Sequence, residues 1–235
     1  MHVMKRFTLT LAAMTGLGIA PLIGQTPSVQ TLPLSADIDV VNVRTLPDGN
    51  TLRQERKMKF YRRADGSTRV EEPNRVVIVD NSSHTVTVLD TVGKVAQVQN
   101  ASPAVANGTK PVEALSQPQP AGNGLGGSKS STKTDLGVKV IGGYNVHGVQ
   151  QSTTIPANSA LGNTAPITKT IQVWRSSDLR LPLLTVISDP LGGTTTSQYE
   201  NVSTSTPPDS SLFTVPAGYK ALPAPQSRII ASQTN

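Results

Sequence analysis

From residue 35 onward, apolar and polar positions alternate with a period of two, in short runs broken by turn residues. Residues 36–46 alternate loosely around Ile38, Val40 and Val43, and Pro47-Asp48-Gly49-Asn50 supplies a turn. A long charged strand is predicted over 52–63. Ala64-Asp65-Gly66-Ser67 then forms the strongest hairpin signal in the chain. Residues 68–72 return and stop at Pro73-Asn74. Residues 75–80 (RVVIVD) are apolar on both faces, as a central strand would be. Strands over 84–90 and 94–99 follow, separated by a turn around Gly93.

The pattern changes at about residue 100. Residues 100–134 are built from Ser, Pro, Gly, Gln, Asn and Lys and carry no sustained apolar period. Such a stretch buries too little surface to offset its ordering entropy, so it is expected to be a flexible linker. Strands are predicted again over 136–141, 144–155, 167–175, 181–188 and 194–205. No ten residues after the N-terminus show clean helical periodicity. The reading is mainly β, a single antiparallel sheet with a long disordered loop and little helix. Trp174, the only Trp, and Leu212-Phe213 are rare large side chains, so much of the core burial is expected to rest on them.

The first residues read differently. Lys5 and Arg6 form a short basic region ahead of an apolar run over 7–20, which ends in small residues and prolines. That run is short for a membrane span and has no basic flank after it, so residues 1–25 are expected to be an export signal. Residues 26–235 are then a single β domain interrupted by the linker, in a periplasmic or secreted protein. Removing the two basic residues lowers the formal charge from +6 to +4. That is too mild for a nucleic-acid surface, and aromatics for stacking on bases make up only 3%. With no cysteine, disulfide frameworks, thiolate metal sites and thiol catalysis are excluded.

Candidate chemistry is sparse. Gly122-Asn123-Gly124-Leu125-Gly126-Gly127 spells a dinucleotide fingerprint, but Pro118-Gln119-Pro120 precedes it where a buried strand is required. His84 and His147 lack metal-ligand spacing and read as surface histidines. There is no G-x-S-x-G elbow. The acidic residues sit mostly at strand ends and turns. A non-enzyme without cofactor or metal is the expectation. One charged feature stands out: Arg56, Lys57, Lys59, Arg62 and Arg63 fall on one strand. They are either a solvated face with cross-strand pairs such as Arg63 with Glu71, or a docking patch for an anionic headgroup or acidic partner.

The run Lys59-Phe60-Tyr61-Arg62-Arg63-Ala64-Asp65-Gly66-Ser67-Thr68-Arg69-Val70-Glu71 continues as Val76-Val77-Ile78-Val79-Asp80, Thr87-Val88-Leu89-Asp90 and Lys94-Val95-Ala96. This succession resembles that of the LolA/LolB-like periplasmic lipoprotein carriers. The second half, with Thr154-Ile155-Pro156-Ala157, Trp174-Arg175-Ser176-Ser177-Asp178-Leu179 and the ending 208–219, resembles an uncharacterised family of exported bacterial proteins. The resemblance implies a curved sheet, a half-barrel whose concave face holds acyl chains. Apolar groove positions would come from Val77, Val79, Val86, Val88, Val138, Val140, Ile171, Val173, Leu183 and Ile187; an ordinary sheet core is the other reading of the same residues. The carriers have helices over the concave face, and this chain has no segment patterned for them. Either the linker or the C-terminal segment covers the sheet, or the groove is shallow. The function expected is an exported, non-catalytic envelope protein, a monomer with at most peripheral membrane contact and no nucleic-acid partner. It would bind a lipid, lipoprotein or other apolar ligand, or serve as a structural or protein-interaction module with no small ligand.

Overall fold

The computed structural model describes residues 31–101, 130–159 and 161–223, so the expected export signal and most of the expected linker, with its Gly-rich run, lie outside the described residues. Twelve strands make one open, curved sheet. The first six are β1 (Leu34–Thr45), β2 (Thr51–Arg62), β3 (Thr68–Glu72), β4 (Arg75–Asp80), β5 (Thr85–Asp90) and β6 (Val95–Asn100). After the linker come β7 (Ser130–Ile141), β8 (Tyr144–Ile155), β9 (Ile167–Ser176), β10 (Leu181–Asp189), β11 (Gly193–Ser203) and β12 (Lys220–Pro223). Among the described residues there is no α-helix, only a 3-10 turn at Ser210–Phe213.

The spatial order is β12-β6-β5-β4-β3-β2-β1-β11-β10-β9-β8-β7. Two antiparallel meanders thus meet where β1 pairs with β11. Period-two alternation gives the sheet two distinct faces. In β1, Leu34, Ala36, Ile38 and Val40 are buried, which defines the inner face. Directly opposed residues share a face, so register carries that face outward in both directions. One way runs Ala36–Phe60–Val70–Val77–Val88. The other runs Val40–Ser197–Thr185–Val173–Val149–Asp135.

The main core joins the inner-face residues of β1–β3 to Tyr199, Leu183, Leu181, Leu179 and Val146, with Trp174 partly buried against it and Phe60 and Tyr199 in an edge-on ring contact at 5.4 Å. Irregularities at Ser35/Asp37 and Pro182/Leu184 shift the register locally. β4 is buried on both faces. Val77 and Val79 join Val86 inside, while Val76 and Ile78 join Leu89, Ala96 and Phe213 outside. What buries its outer face is the C-terminal segment. After β11 the chain crosses the outer side of β3–β6 and adds β12 parallel to β6 at the edge. Arg69 donates to the Leu212 carbonyl at 2.6 Å, and the Lys220 amide donates to the Lys94 carbonyl at 2.8 Å. The C-terminal segment therefore covers the face opposite the expected groove. Among the described residues no helix lies over either face.

Most strands fall within one to three residues of their predicted bounds. The clearest difference is β7, which starts at Ser130, so 130–134 are strand rather than linker. Its residues are exposed on both sides, and an edge strand of that kind carries no apolar period to read. Turns follow prediction. At 64–66 the Arg63 amide donates to the Ser67 carbonyl, and Gly66 adopts φ +82, a left-handed position that glycine occupies without steric cost.

The scattered carboxylates have a common use. Asp48, Asp65, Asp80, Asp90, Asp135, Asp189 and Asp209 each accept a backbone N–H from the residue two positions on. Such bonds favour the ionised form. Asp48, Asp135 and Asp209 lie below the ordinary value of 3.8, chiefly through amides of Asn50, Gly137 and Ser211. Burial pushes Asp80 up, but hydrogen bonds from Ser83 and Ser82 outweigh it and its pKa is also lowered. Trp174 is half-buried rather than central. Its ring lies on Gly148, where a Cβ would come within 2.6 Å of it, and the Lys139 ammonium sits 3.8 Å from its centroid.

Three outcomes follow from this packing. Phe213→Ala should cost about 3–5 kcal/mol by denaturant titration, because it uncovers the outer face of β4. Gly148→Ala should cost about 1–3 kcal/mol by overpacking and shift the emission of the single tryptophan as the ring is displaced. Carboxylates with depressed pKa values stabilise the fold above their unfolded-state pKa and lose that contribution as pH falls through the folded value. The denaturation midpoint should therefore hold steady down to about pH 4 and decline below it, with Asp80→Ala less stable at neutral pH and showing a shallower acid decline.

Candidate functional site

The inner face is not filled uniformly. Over β1–β5 it is closed by its own side chains: Ile38, Phe60, Val70, Val77, Val79 and Val86 are all less than a tenth exposed. Register carries the β1 face to a cleft of about 420 Å³ lined by Lys133, His147, Val149, Gln151, Ile171, Val173, Arg175 and Ser177. There His147, Val149 and Gln151 are the exposed row of β8, and Val146 and Gly148, on its other side, are the row buried toward the main core. Register builds this cleft from three rows. Lys133 lies opposite Gln151 and Gln151 opposite Ile171; Asp135 opposite Val149 and Val149 opposite Val173; Val138 opposite His147 and His147 opposite Arg175. Val149, Ile171 and Val173 form an apolar floor, with Val149 36% exposed and the other two half-buried.

Charge sits at the ends of this floor. Arg175 is half-buried, and among the described residues neither its guanidinium nor the Lys133 ammonium has a hydrogen-bond or ion-pair partner. His147 differs, because its Nε2 lies 3.0 Å from an Asp135 carboxylate oxygen. That carboxylate also accepts the Gly137 amide at 2.6 Å, at the irregularity in β7. Asp135 thus holds the imidazole at the rim and leaves Arg175 and Lys133 without a counter-ion among the described residues.

All ten expected groove positions are on strands that contribute to the inner face, but only Ile171 and Val173 line the cleft. Val77, Val79, Val86, Leu183 and Ile187 are buried core, and Val88 is half-buried beside them. Val138 and Val140 stand 69% and 65% exposed at the β7 edge. Sequence reasoning missed Val149, Arg175 and Lys133 as cleft residues and dismissed His147. The alternation of β9 was the available signal, since it places Ile171, Val173 and Arg175 on one side.

Arg56, Lys57, Lys59 and Arg62 of β2 and Arg63 just after it are not brought together. Arg62 is buried and donates both Nε and Nη2 to the Leu32 carbonyl, and desolvation lowers its pKa. It fixes the chain entering β1 and has no free surface for docking. Arg63 pairs with Asp65 at 3.1 Å and lies over the Phe213 ring, while Glu71 takes Arg69 instead. Arg56 points to the inner side. Lys57 and Lys59 are on the outer side, opposite Asp39 and Asp37, in a hollow also lined by Glu71, Glu72 and Glu200. Lys57 pairs with Glu55 at 3.6 Å. Among the described residues no cluster of His, Asp and Glu fits a metal ion.

No family model and no curated protein matches the chain by sequence. Solved structures similar to it include the MucA/MucB complex of Pseudomonas aeruginosa, at 12% identity and TM-score 0.37 over 79% of this chain and 56% of that one. A LolA superfamily protein from Nitrosomonas europaea is similar at 12% identity and TM-score 0.34, over 81% of this chain and 92% of its own. The Mycobacterium tuberculosis lipoprotein LppX is similar at 12% identity and TM-score 0.27, over 74% and 89%. The chain spans little more than half the length of the matched MucB chains.

Proposed function

We propose that this chain is an exported, non-catalytic binding protein of the cell envelope that holds a lipid, a lipid-bearing end of a lipoprotein or another apolar ligand on the inner face of its sheet. The observation that carries the reading is the contrast between the two ends of one register-linked row of residues. The chain's own side chains fill the β1–β5 half, yet the β7–β9 half leaves Val149, Ile171 and Val173 lining a cleft of about 420 Å³, within the range of small-molecule sites. Water over such a floor is displaced favourably by an apolar group, at roughly 25 cal/mol per Å² of apolar surface buried.

The non-catalytic part of the reading rests on where the carboxylates are. Seven aspartates are engaged with turn amides, and His147 is engaged with one of them. Ser177 and His147 both line the cleft, but the Ser177 hydroxyl donates to Asp178 and, among the described residues, is not hydrogen-bonded to the imidazole as a base-activated nucleophile would be. A second reading, a protein-interaction module, draws on β7. This twelve-residue edge strand pairs only with β8 and exposes Val138 and Val140, so a partner strand could add to it.

Native mass spectrometry of the protein purified from its own envelope separates the two. The binding reading expects a retained lipid as added mass, lost in Val173→Asp with the circular dichroism spectrum unchanged. A protein that carries no adduct and takes up none from added lipid would leave only the interaction reading.

A further inference from the structure

We infer that the β7–β9 cleft selects a single-chain amphiphile with a carboxylate head, which Arg175 binds while the alkyl chain lies along Val173, Val149 and Ile171. This rests on the binding reading above and adds the charge and orientation of the ligand. The cleft combines an apolar floor with a half-buried arginine whose guanidinium has no acceptor among the described residues. An incoming carboxylate supplies that guanidinium with a counter-ion through two parallel hydrogen bonds. Elsewhere in the molecule the half-buried or buried arginines are satisfied from within: Arg62 by the Leu32 carbonyl, Arg63 by Asp65, and Arg69 by Glu71 and the Leu212 carbonyl. Arg175 is the exception, and it lies on the cleft.

The surrounding charges support one orientation. His147 is directly opposite Arg175, and its imidazole is held by Asp135, whose carboxylate also takes the Gly137 amide. Asp135 is thereby occupied and does not serve as the counter-ion of Arg175. Ser177 adds a hydroxyl at the same end. Lys133 stands at the opposite corner, two rows away, where its alkyl stem borders Ile171 through Gln151. A head at Arg175 therefore leaves the chain running over the floor toward an aliphatic stem with its ammonium in water. The reverse orientation would place the head on an exposed, strongly hydrated ammonium and leave the guanidinium over alkyl chain.

The test compares decanoate with decanol on the purified protein by calorimetry, below the micellar concentration. Wild type should bind decanoate about tenfold more tightly than decanol, the scale of one charge-assisted hydrogen-bond pair. Arg175→Met should bring decanoate down to the decanol level and leave decanol binding unchanged, which also reports that the cleft is intact. Arg175→Lys should fall between, because it keeps the charge but not the paired geometry. Lys133→Met should change the ratio by less than twofold. Equal binding of decanoate and decanol by wild type overturns the inference and leaves the binding reading standing. So does an Arg175→Met variant that weakens both ligands alike. A protein that binds neither ligand removes the binding reading and this inference with it.

Discussion

The pairing of β1 with both β2 and β11 is the contact on which the rest depends. Without it the chain is two separate antiparallel meanders, one of six strands and one of five, each with an unpaired edge where β1 meets β11. β1 is suited to the position because its alternation is strict where it matters. Leu34, Ala36, Ile38 and Val40 enter the core, while Asp37 and Asp39 take the outer side opposite Lys59 and Lys57. A one-residue slip would put those carboxylates into the core and the leucine and isoleucine into water, so the register is fixed by burial rather than by the turn alone. Arg62 reinforces it from below. Its guanidinium grips the Leu32 carbonyl just before the strand begins, a polar anchor at the edge of an apolar core.

From that register the two ends of the sheet acquire different characters. On the β4–β6 side the sheet is closed on both faces, inside by valines and outside by Phe213 with its neighbours Leu212 and Tyr219. On the β7–β9 side the inner face thins to Val149, Ile171 and Val173, and the last strand is exposed almost throughout. The other face there packs toward the main core through Val146 and Trp174, whose ring covers Gly148, a strand glycine that offers no side chain of its own. The ring stiffens the sheet beneath the cleft from the opposite side. Rigidity without filling is what a binding surface needs, since a ligand then adds contacts without first having to order the protein.

How much of this was legible follows from which physical signal each element carries. β4 was readable because burial on both faces leaves an unbroken apolar run, and β1 because half-burial leaves alternation. The hairpin at Asp65-Gly66 was readable from the backbone geometry that glycine permits. The start of β7 was not, because Ser130–Thr134 are exposed on both sides and hydrophobic period is a burial signal. The crossing that brings β12 beside β6 was invisible for a different reason: Phe213 reads as a core residue in sequence, but which face it caps is settled only by the fold. The basic run of β2 left two readings open, a solvated face or a docking patch. In a strand, neighbours in sequence are not neighbours in space, and burial, turn chemistry and opposing carboxylates divided those residues among separate tasks.

The same rule explains why the cleft was only half found. Ile171 and Val173 were chosen because they alternate, yet the alternation that selected them continues to Arg175, and a scan for apolar residues stops one step short of it. Across the sheet the rows place Val149 beside Val173 and His147 beside Arg175, so the apolar floor and the polar end arise from one pleat. A charge at the end of an apolar row is tolerated in β2 because Arg62 finds a carbonyl. In β9 the chain supplies Arg175 with no such acceptor among the described residues. The difference between these two arginines is the difference between an anchor that is complete in the folded chain and one that a ligand would complete.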